Sequence, residues 1–404
     1  MRSPLSVDDY RREVLAGVEA LSPRNLPLEN AYNCVLAEDL TAARDLPPFA
    51  SSAMDGFALR SADIAAASPE HPVKLQISGE VRMGRPCECG VTDGQAVSVP
   101  TGGTMPSGAD AVLPGELCRA EGRELTVTCG CRPGHNVRPA GEDLREGEIL
   151  VPAGRRLEAA DLGALAAGGY GRVPAVPRPR VAIASTGDEL VDPGTEPGAG
   201  QIFESNSFLL KGLVQGSGCE PATRSRVPDD PSALLETLAA AAAAADAIVC
   251  SGGVSAGRDD PVKRAFARDS SVAFFRVAVQ PGRPQAFGHF FGKPFFGLPG
   301  NPMAALVAFE LFVRPALKKL AGADPSVDYV RATLEEQVGA AADCVRFVPV
   351  RLAGREPVCV ACPAGRRRSN QLVALARADG LLEVPIGPDL KAGDPCRVIR
   401  ITPG

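Results

Sequence analysis

No stretch of this 404-residue sequence is apolar over the ~20 residues that a membrane-spanning helix needs. The opening segment, MRSPLSVDDYRREVLAGVEAL, lacks the uncharged apolar core of a secretory leader and has the spacing of an amphipathic helix. A cytoplasmic protein with no membrane partner is therefore expected. There is no excess of positive charge: the formal net charge is −5, which argues against a general nucleic-acid surface. Histidine is scarce, at three residues. Twelve cysteines in a chain expected in a reducing compartment do not make a disulfide framework. The pairs Cys87/Cys89 and Cys129/Cys131 have C-x-C spacing, a poor zinc signature, and Cys359/Cys362 stands alone; all are read as ordinary thiols. No internal repeat is visible, and the only low-complexity segment is an alanine run near residue 240.

At roughly 100–200 residues per domain, the length allows two to four domains, each with its own core. Residues 6–21 read as a helix with Ser6 as N-cap and Asp8 and Asp9 in the first turn. From about 35 to 155 the runs AVSV (96–99), AVLP (111–114) and LTVT (125–128) alternate with Gly/Pro turns, the texture of a β-rich unit. A helix over 157–169 ends in glycine, and VPAVPRPR (173–180) marks a boundary. Beyond it come a strand (181–185), helices near 206–215 and 231–245, a strand (247–250), a hairpin around 285–298 and a long helix from Pro302 to about Leu320. This alternation predicts a parallel or mixed sheet flanked by helices. Residues 327–404 return to short strands and a small β domain.

Three loops follow strand-like runs in the α/β part: STGDEL (185–190), SGGVSAGRDD (251–260) and GLPGNPMAA (297–305). In open α/β sheets, ligands bind where such loops leave the carboxyl ends of the strands. Gly252 and Gly253 permit close backbone approach, and Pro302 suits the first turn of a helix whose start is a natural anion site. One such loop is more simply a tight turn; three together point to an anion pocket. Glu189, Asp230 and Asp260 supply carboxylates nearby, while Lys263, Arg276 and Arg283 supply cations. Taken singly each is an ordinary surface charge. Together they suit a phosphorylated substrate with Mg²⁺ held by Glu189 and Asp260 beside phosphate. The SGGVSAG loop lacks the G-K-S/T ending of a Walker A motif, which disfavours a P-loop nucleotidase.

The β-rich region adds LPPFASSAMDGFALR (46–60), TGGTMPSGADAVLP (101–114) and NVRPAGEDLREGEIL (136–150). Asp55 and Asp110 sit among turn formers, where a carboxylate ordinarily bonds its own backbone. Six segments, PPFASSAMDGFA (47–58), TGGTMPSGADAVL (101–113), NVRPAGED (136–143), STGDEL (185–190), SGGVSAGRDD (251–260) and GLPGNP (297–302), resemble the signature motifs of the MoeA-like molybdopterin molybdenumtransferases, the family that includes the gephyrin E domain, and occur in the family's order.

The resemblance implies a multidomain α/β plus β protein. A linker domain would be built from 1–45 and 144–177, a β-rich domain from 46–143, an α/β molybdopterin-binding domain from 178–326 and a C-terminal β domain from 327–404. It implies a homodimer whose cleft combines the α/β domain of one subunit with the β-rich domain of the other, so that Asp55 and Thr101 reach a partner's cleft. Asp143, Glu189, Asp230 and Asp260 match the remaining acidic positions. Arg138, Ser251, Ser255, Pro299 and Pro302 fall in motif positions that face substrate. The reaction would join adenylylated molybdopterin and molybdate with release of AMP, and Asp55 is the best candidate for a proton-transfer residue. Partners would include a molybdopterin adenylyltransferase and the enzymes that accept the finished cofactor.

The chain departs from the family pattern in places. Gln280 precedes Pro281 where lysine is usual, Arg283 replaces the next lysine, and Arg276 stands where lysine is common. Loss of one charge-assisted bond weakens oxyanion binding by ~1–3 kcal/mol, and arginine replaces lysine imperfectly. Residues 373–380 read VALARADG, without the paired serines that usually open this motif. Two other readings compete: the adenylyltransferase that makes the substrate, a one-domain enzyme with a similar α/β fold, and a non-catalytic gephyrin-like scaffold. The β-rich half argues against the first and the retained carboxylates against the second.

Overall fold

The structure, a computed structural model, describes residues 4–85, 88–254, 260–267, 270–355, 358–364 and 372–401. Ser255 and Cys87 lie outside the described residues. The chain divides into two compact units: Met1–Ala37, Gly154–Leu157 and Pro174–Gly404 form one, and Glu38–Ala153 with Glu158–Val173 forms the other.

The first unit is built on a six-stranded sheet. Its strands are β1 (Arg180–Thr186), β2 (Glu220–Val227), β3 (Ala247–Ser251), β4 (Val272–Arg276), β5 (Pro284–Phe290) and β6 (Lys293–Leu298), in the order β2-β1-β3-β6-β5-β4. The first four in that order run parallel, while β5 is antiparallel to both its neighbours. The central strands are apolar without interruption because both sheet faces are covered. Alternate residues serve opposite faces. Val181, Ile183, Val249, Phe296 and Leu298 pack with Leu210 and Val214 of helix Asn206–Gly216 and with Phe309 and Phe312 of the long helix. Ala182, Ala184, Ile248, Cys250 and Phe295 pack on the other face with Leu234 and Leu238 of helix Pro231–Ala244. Each fully buried Leu, Ile or Phe contributes about 1.5–3 kcal/mol relative to exposure.

The expected long helix is present but not regular. Pro302–Ala308 and Arg314–Leu320 are α-helical and are joined by a π turn, Phe309–Val313. Pro315 has no N–H to offer the carbonyl one turn back, and Arg11 Nε donates to the Leu311 carbonyl at 3.0 Å instead. Buried Glu310 takes two bonds from the Arg314 guanidinium, at 2.6 and 2.7 Å. The N-terminal helix spans Val7–Ala16, capped by Ser6, which accepts from the Asp9 N–H. It stops short of the expected residue 21 at Gly17, where an added Cβ would lie 2.7 Å from the Phe287 ring. Tyr10 stacks edge-on against Phe312, with ring centroids 4.7 Å apart, so this helix belongs to the α/β core.

Residues beyond 327 form a small closed barrel. Gly380–Val384 pairs with both Pro395–Arg400 and Val345–Arg355, which removes a free edge. Leu375, in the segment that departs from the family's serine-bearing pattern, contributes to the α/β core cluster.

The second unit holds another six-stranded sheet, in spatial order Ala111–Pro114, Gly56–Leu59, Gln95–Val99, Val73–Glu80, Glu124–Val127 and Cys118–Glu121. Helix Ala159–Ala167 opens with a capping box between Glu158 and Asp161 and closes at Gly168. Asp110 takes the backbone N–H and hydroxyl of Ser61 at 2.6 and 2.8 Å, a bond to a distant turn and not to its own backbone. Cys129 and Cys131 pack with Cys118 against the apolar cluster around Leu125, and Cys89 packs against a second one. Burial pushes the Cys118 thiol up to about 11, with Cys129 and Cys131 adding to the shift. Freshly purified protein is expected to contain far less than one zinc per chain by elemental analysis. Stoichiometric zinc that disappears when Cys87, Cys89, Cys129 and Cys131 are replaced would contradict this. No helix among the described residues is long and apolar enough to cross a membrane.

Candidate active site

The carboxyl ends of β1, β3 and β6 meet at the point where the chain leaves β1 for β2 on one side and reaches β3 on the other. A cleft of about 420 Å³ opens there. Gly252 follows β3 with φ +97°, and its N–H donates to the Leu298 carbonyl at 3.0 Å. A Cβ at this position would lie 2.5 Å from the Thr186 carbonyl oxygen, so only glycine lets β1 and the β3 loop approach this closely. Gly253, at φ +67°, lies against Val262 in the same way.

Four carboxyl groups line the cleft, those of Glu189, Glu204, Asp229 and Asp260, and no lysine or arginine is among the described lining residues. Glu204 is spoken for: it accepts from the Ser207 N–H and hydroxyl, at 2.7 and 2.5 Å, and Arg224 lies 3.7 Å away. The Glu189 carboxylate folds back over Gly187, where a Cβ would sit 2.6 Å from its oxygen. Asp229 accepts from the Thr186 hydroxyl at 2.8 Å, and its own N–H donates to Asp188 at 3.0 Å.

Asp230 and Asp260 occupy matching positions, each just before a proline that opens a helix. They behave differently. Asp230 caps its helix, accepting from the Ala233 N–H at 2.7 Å, and does not line the cleft. Asp260 makes no side-chain cap bond to its short helix, Pro261–Ala265. Its Oδ2 is buried without a hydrogen-bond partner, and Lys263 Nζ stands 3.8 Å away. Burial raises the Asp260 carboxyl above the ordinary carboxylate range; Lys263 opposes the shift and Asp229 adds to it.

The helix start at Pro302 differs from the anion site that its sequence suggests. Asn301 Oδ1 accepts from the Met303 and Ala304 N–H groups at 3.0 and 3.4 Å, and the Ala305 N–H is bonded to the Asn301 carbonyl. The donors that an anion would use are taken, because asparagine is itself a strong cap. Pro299 and Pro302 still line the cleft.

The three expected cations are not on the described cleft wall. Arg283 grips Asp343 with two bonds, at 2.9 and 2.7 Å, and Pro284 takes the lining position beside it. Arg276 is exposed at the end of β4, and Lys263 faces Asp260 from one turn on.

In the second unit the three motif segments converge. The Ser52 N–H donates to the Gly103 carbonyl, Ala53 to that of Asn136, both at 2.9 Å, and Ser51–Ser52 pairs with Val137–Arg138. Asp55 Oδ1 accepts from the Thr101 N–H at 2.6 Å and from its hydroxyl at 2.9 Å. These bonds, the backbone one first, hold the Asp55 carboxyl below its ordinary range. Thr101 thus fixes one carboxylate oxygen of Asp55 in place. Arg138 and Asp143 are exposed on the adjoining strand and turn.

Ser185, Thr186 and Asn301 fall inside the motif loops without being singled out there, and Asn206 and Asp229 lie outside every motif. Their role emerges only when the three strand ends are brought side by side.

Matches to known proteins cover these same segments. Residues 5–169 match the MoeA N-terminal region (domain I and II), 182–319 the "Probable molybdopterin binding domain" and 331–401 the MoeA C-terminal region (domain IV). The chain is 36% identical to molybdopterin molybdenumtransferase 2 of Mycobacterium tuberculosis, over 94% of this chain and 95% of that protein. The chain belongs to the MoeA family. It is also 30% identical to the molybdopterin molybdenumtransferase of Staphylococcus epidermidis, over 98% of this chain and 96% of that one. Among solved structures it resembles a molybdopterin biosynthesis MoeA protein from Pyrococcus horikosii, with TM-score 0.80, 29% identity and full coverage of both chains. MoeA membership accounts for a multidomain mixed α/β architecture ending in a small β-barrel.

Proposed function

We propose that this chain catalyses the reaction of its MoeA relatives, insertion of molybdenum into molybdopterin, and that the cleft at the ends of β1, β3 and β6 receives adenylylated molybdopterin with molybdate. The observation that carries the reading is the acidic wall of a cleft built from three glycine-bearing loops, with one carboxylate oxygen of Asp260 left without a hydrogen bond. An anionic substrate in such a cleft needs a counter-cation. No group of three or more His, Cys, Asp or Glu among the described residues forms a ready metal cage. The available donors, Glu189 and Asp260, are hard oxygens, as Mg²⁺ prefers, and one or two carboxylates plus substrate phosphate is its usual protein setting. Glu189 and Asp260 would hold Mg²⁺, which supplies charge neutralisation at the pyrophosphate as AMP departs.

The protein's own groups do the rest. The Gly252–Gly253 turn lets backbone approach the ligand, and Ser251 fixes the loop by donating to the Pro299 carbonyl at 3.3 Å. Holding two anions side by side removes the association entropy that opposes their reaction in solution. Asp55, held by Thr101, is the candidate proton-transfer residue.

The division of acidic residues between two units supports a homodimer in which Asp55 and Thr101 of one subunit serve the cleft of the other. Subunit exchange tests this. Mixing Asp55→Ala with Asp260→Ala chains should restore about half of wild-type activity per heterodimer, and about a quarter over a fully exchanged equimolar mixture, since one cleft of each heterodimer stays intact. Exchanged heterodimers that stay inactive rule the shared cleft out. Assay of cofactor formation from purified adenylylated molybdopterin and molybdate separates this enzyme from an adenylyltransferase and from a scaffold.

A further inference from the structure

Among the described residues four buried side-chain atoms lack a hydrogen-bond partner: Ser185 Oγ, Asn206 Oδ1, Thr223 Oγ1 and Asp260 Oδ2. Three of the four belong to residues lining the one cleft. Orphaned buried polar groups are rare in folded proteins, and clustering of this kind marks a place where something else completes the bonding. Asp260 is charged and belongs with the anion chemistry above. Ser185 and Asn206 are neutral; the serine hydroxyl can donate or accept, but the bonding of Asn206 restricts the ligand group beside it.

The chemistry of Asn206 is fixed by its surroundings. Its Nδ2 donates to Ser251 Oγ at 2.7 Å and to the Gly300 carbonyl at 2.8 Å. A carbonyl oxygen can only accept, so the amide cannot be turned over, and both Nδ2 hydrogens are committed. Oδ1 is therefore locked as an acceptor. Ser185 is 1% exposed and Asn206 9% exposed, so bulk water does not serve either atom. Leaving such groups unpaired costs about 1–3 kcal/mol each.

Phosphate and molybdate oxygens are acceptors at neutral pH and cannot satisfy Asn206 Oδ1. We infer that Ser185 and Asn206 form a neutral subsite in the cleft wall that reads uncharged hydrogen-bond donors of the substrate, N–H or O–H, separately from its anionic groups. The inference rests on the cleft being the substrate site proposed above. Two parts of adenylylated molybdopterin carry such donors: the aminopyrimidinone edge of the pterin, and the ribose and adenine of the adenylate. The same pair of side chains could not be inferred from sequence, where Ser185 ends a strand and Asn206 begins a helix.

Ser185→Ala tests the inference because a structural role and a ligand role move its readouts in opposite directions. Deleting an unsatisfied buried hydroxyl should leave Tm unchanged or raise it. Binding of adenylylated molybdopterin, measured by calorimetry, should weaken by about tenfold, the scale of one neutral hydrogen bond lost in a dry site. Molybdate binding should be unchanged. Molybdopterin, AMP and adenosine, each alone, then locate the donor: weakening confined to molybdopterin assigns the pterin edge, weakening shared by AMP and adenosine assigns the nucleoside, and weakening for AMP without adenosine means that Ser185 bonds the phosphate and overturns the subsite. A clear fall in Tm, or affinity for all probes equal to wild type, overturns the subsite while leaving the reaction assignment standing. Wild-type protein that binds none of these probes overturns the reaction assignment, and the subsite with it.

Discussion

Asp260→Asn is expected to lower product formation by at least ~100-fold while leaving the fold intact. The substitution keeps shape and removes the charge that a hard cation or a pyrophosphate-bound cation needs. A loss of this size is typical when one well-placed electrostatic group is removed from a water-poor site. Stability should not follow activity. Asp260 does not cap its helix, its Oδ2 has no hydrogen-bond partner, and its nearest cation stands at 3.8 Å. The raised carboxyl pKa fixes the sign of the pH effect. Between the ordinary carboxylate range and the raised folded value, the native state binds more protons at this site than the unfolded chain, so stability falls as pH rises through that window. At neutral pH the wild type carries that penalty and the asparagine variant does not. Tm of Asp260→Asn should therefore equal or slightly exceed wild type near pH 7, and the difference should vanish in acid. Thermal melts across pH, beside turnover at limiting and saturating Mg²⁺, check both halves. Near-normal turnover would remove Asp260 from the catalytic set. A large drop in Tm would make it structural.

Local order in this protein is legible wherever one physical rule acts alone. The VAIAS and AIVC runs are continuous apolar strands because both faces are covered, and Ser6 and Gly168 bound helices as their chemistry dictates. The three loops after β1, β3 and β6 were recognisable as ligand loops because glycine and proline punctuate them at strand ends. Rules in competition are harder to read. Asp230 and Asp260 look alike as Asp-Pro pairs, yet one carboxylate caps and the other is withheld from capping. Asn301 looked like a neighbour of an anion site and is instead the group that fills it. Arg283 looked like a substrate cation, but a carboxylate 60 positions later, Asp343, holds it through both nitrogens. Pairings of that kind depend on tertiary contact, which spacing does not encode. Pro315 itself signals a break in the long helix, but the group that takes up the freed Leu311 carbonyl, Arg11 some 300 residues away, has no signal in the spacing.

The second large effect concerns backbone space. Gly252→Ala should destabilise the α/β unit and abolish most activity, whereas Gly300→Ala, across the same cleft, should melt near wild type. Gly252 has φ +97°, which an alanine adopts only under strain costing about 1–3 kcal/mol. The added Cβ would also lie 2.5 Å from the Thr186 carbonyl and 3.3 Å from its methyl group. That carbonyl cannot retreat cheaply, because Thr186 ends β1 and is paired to Val227 of β2. Nor can Gly252, whose N–H is bonded to Leu298 at the end of β6. The three strand ends that make the cleft would have to separate. Strain and clash together should total about 3 kcal/mol or more, a Tm decrease on the order of 6–12 °C for a unit of this size. Activity should fall further than stability, by ~100-fold or more in the folded protein, because Ser251 next to it anchors Asn206 and the Pro299 carbonyl. Gly300 has no such constraint: its added Cβ would meet only the Gly252 Cα, at 3.6 Å, an ordinary contact. Differential scanning calorimetry of the two variants, with turnover measured well below the lower Tm, separates the cases. Equal melting temperatures would mean that the β1 and β3 loops are not held at the spacing described.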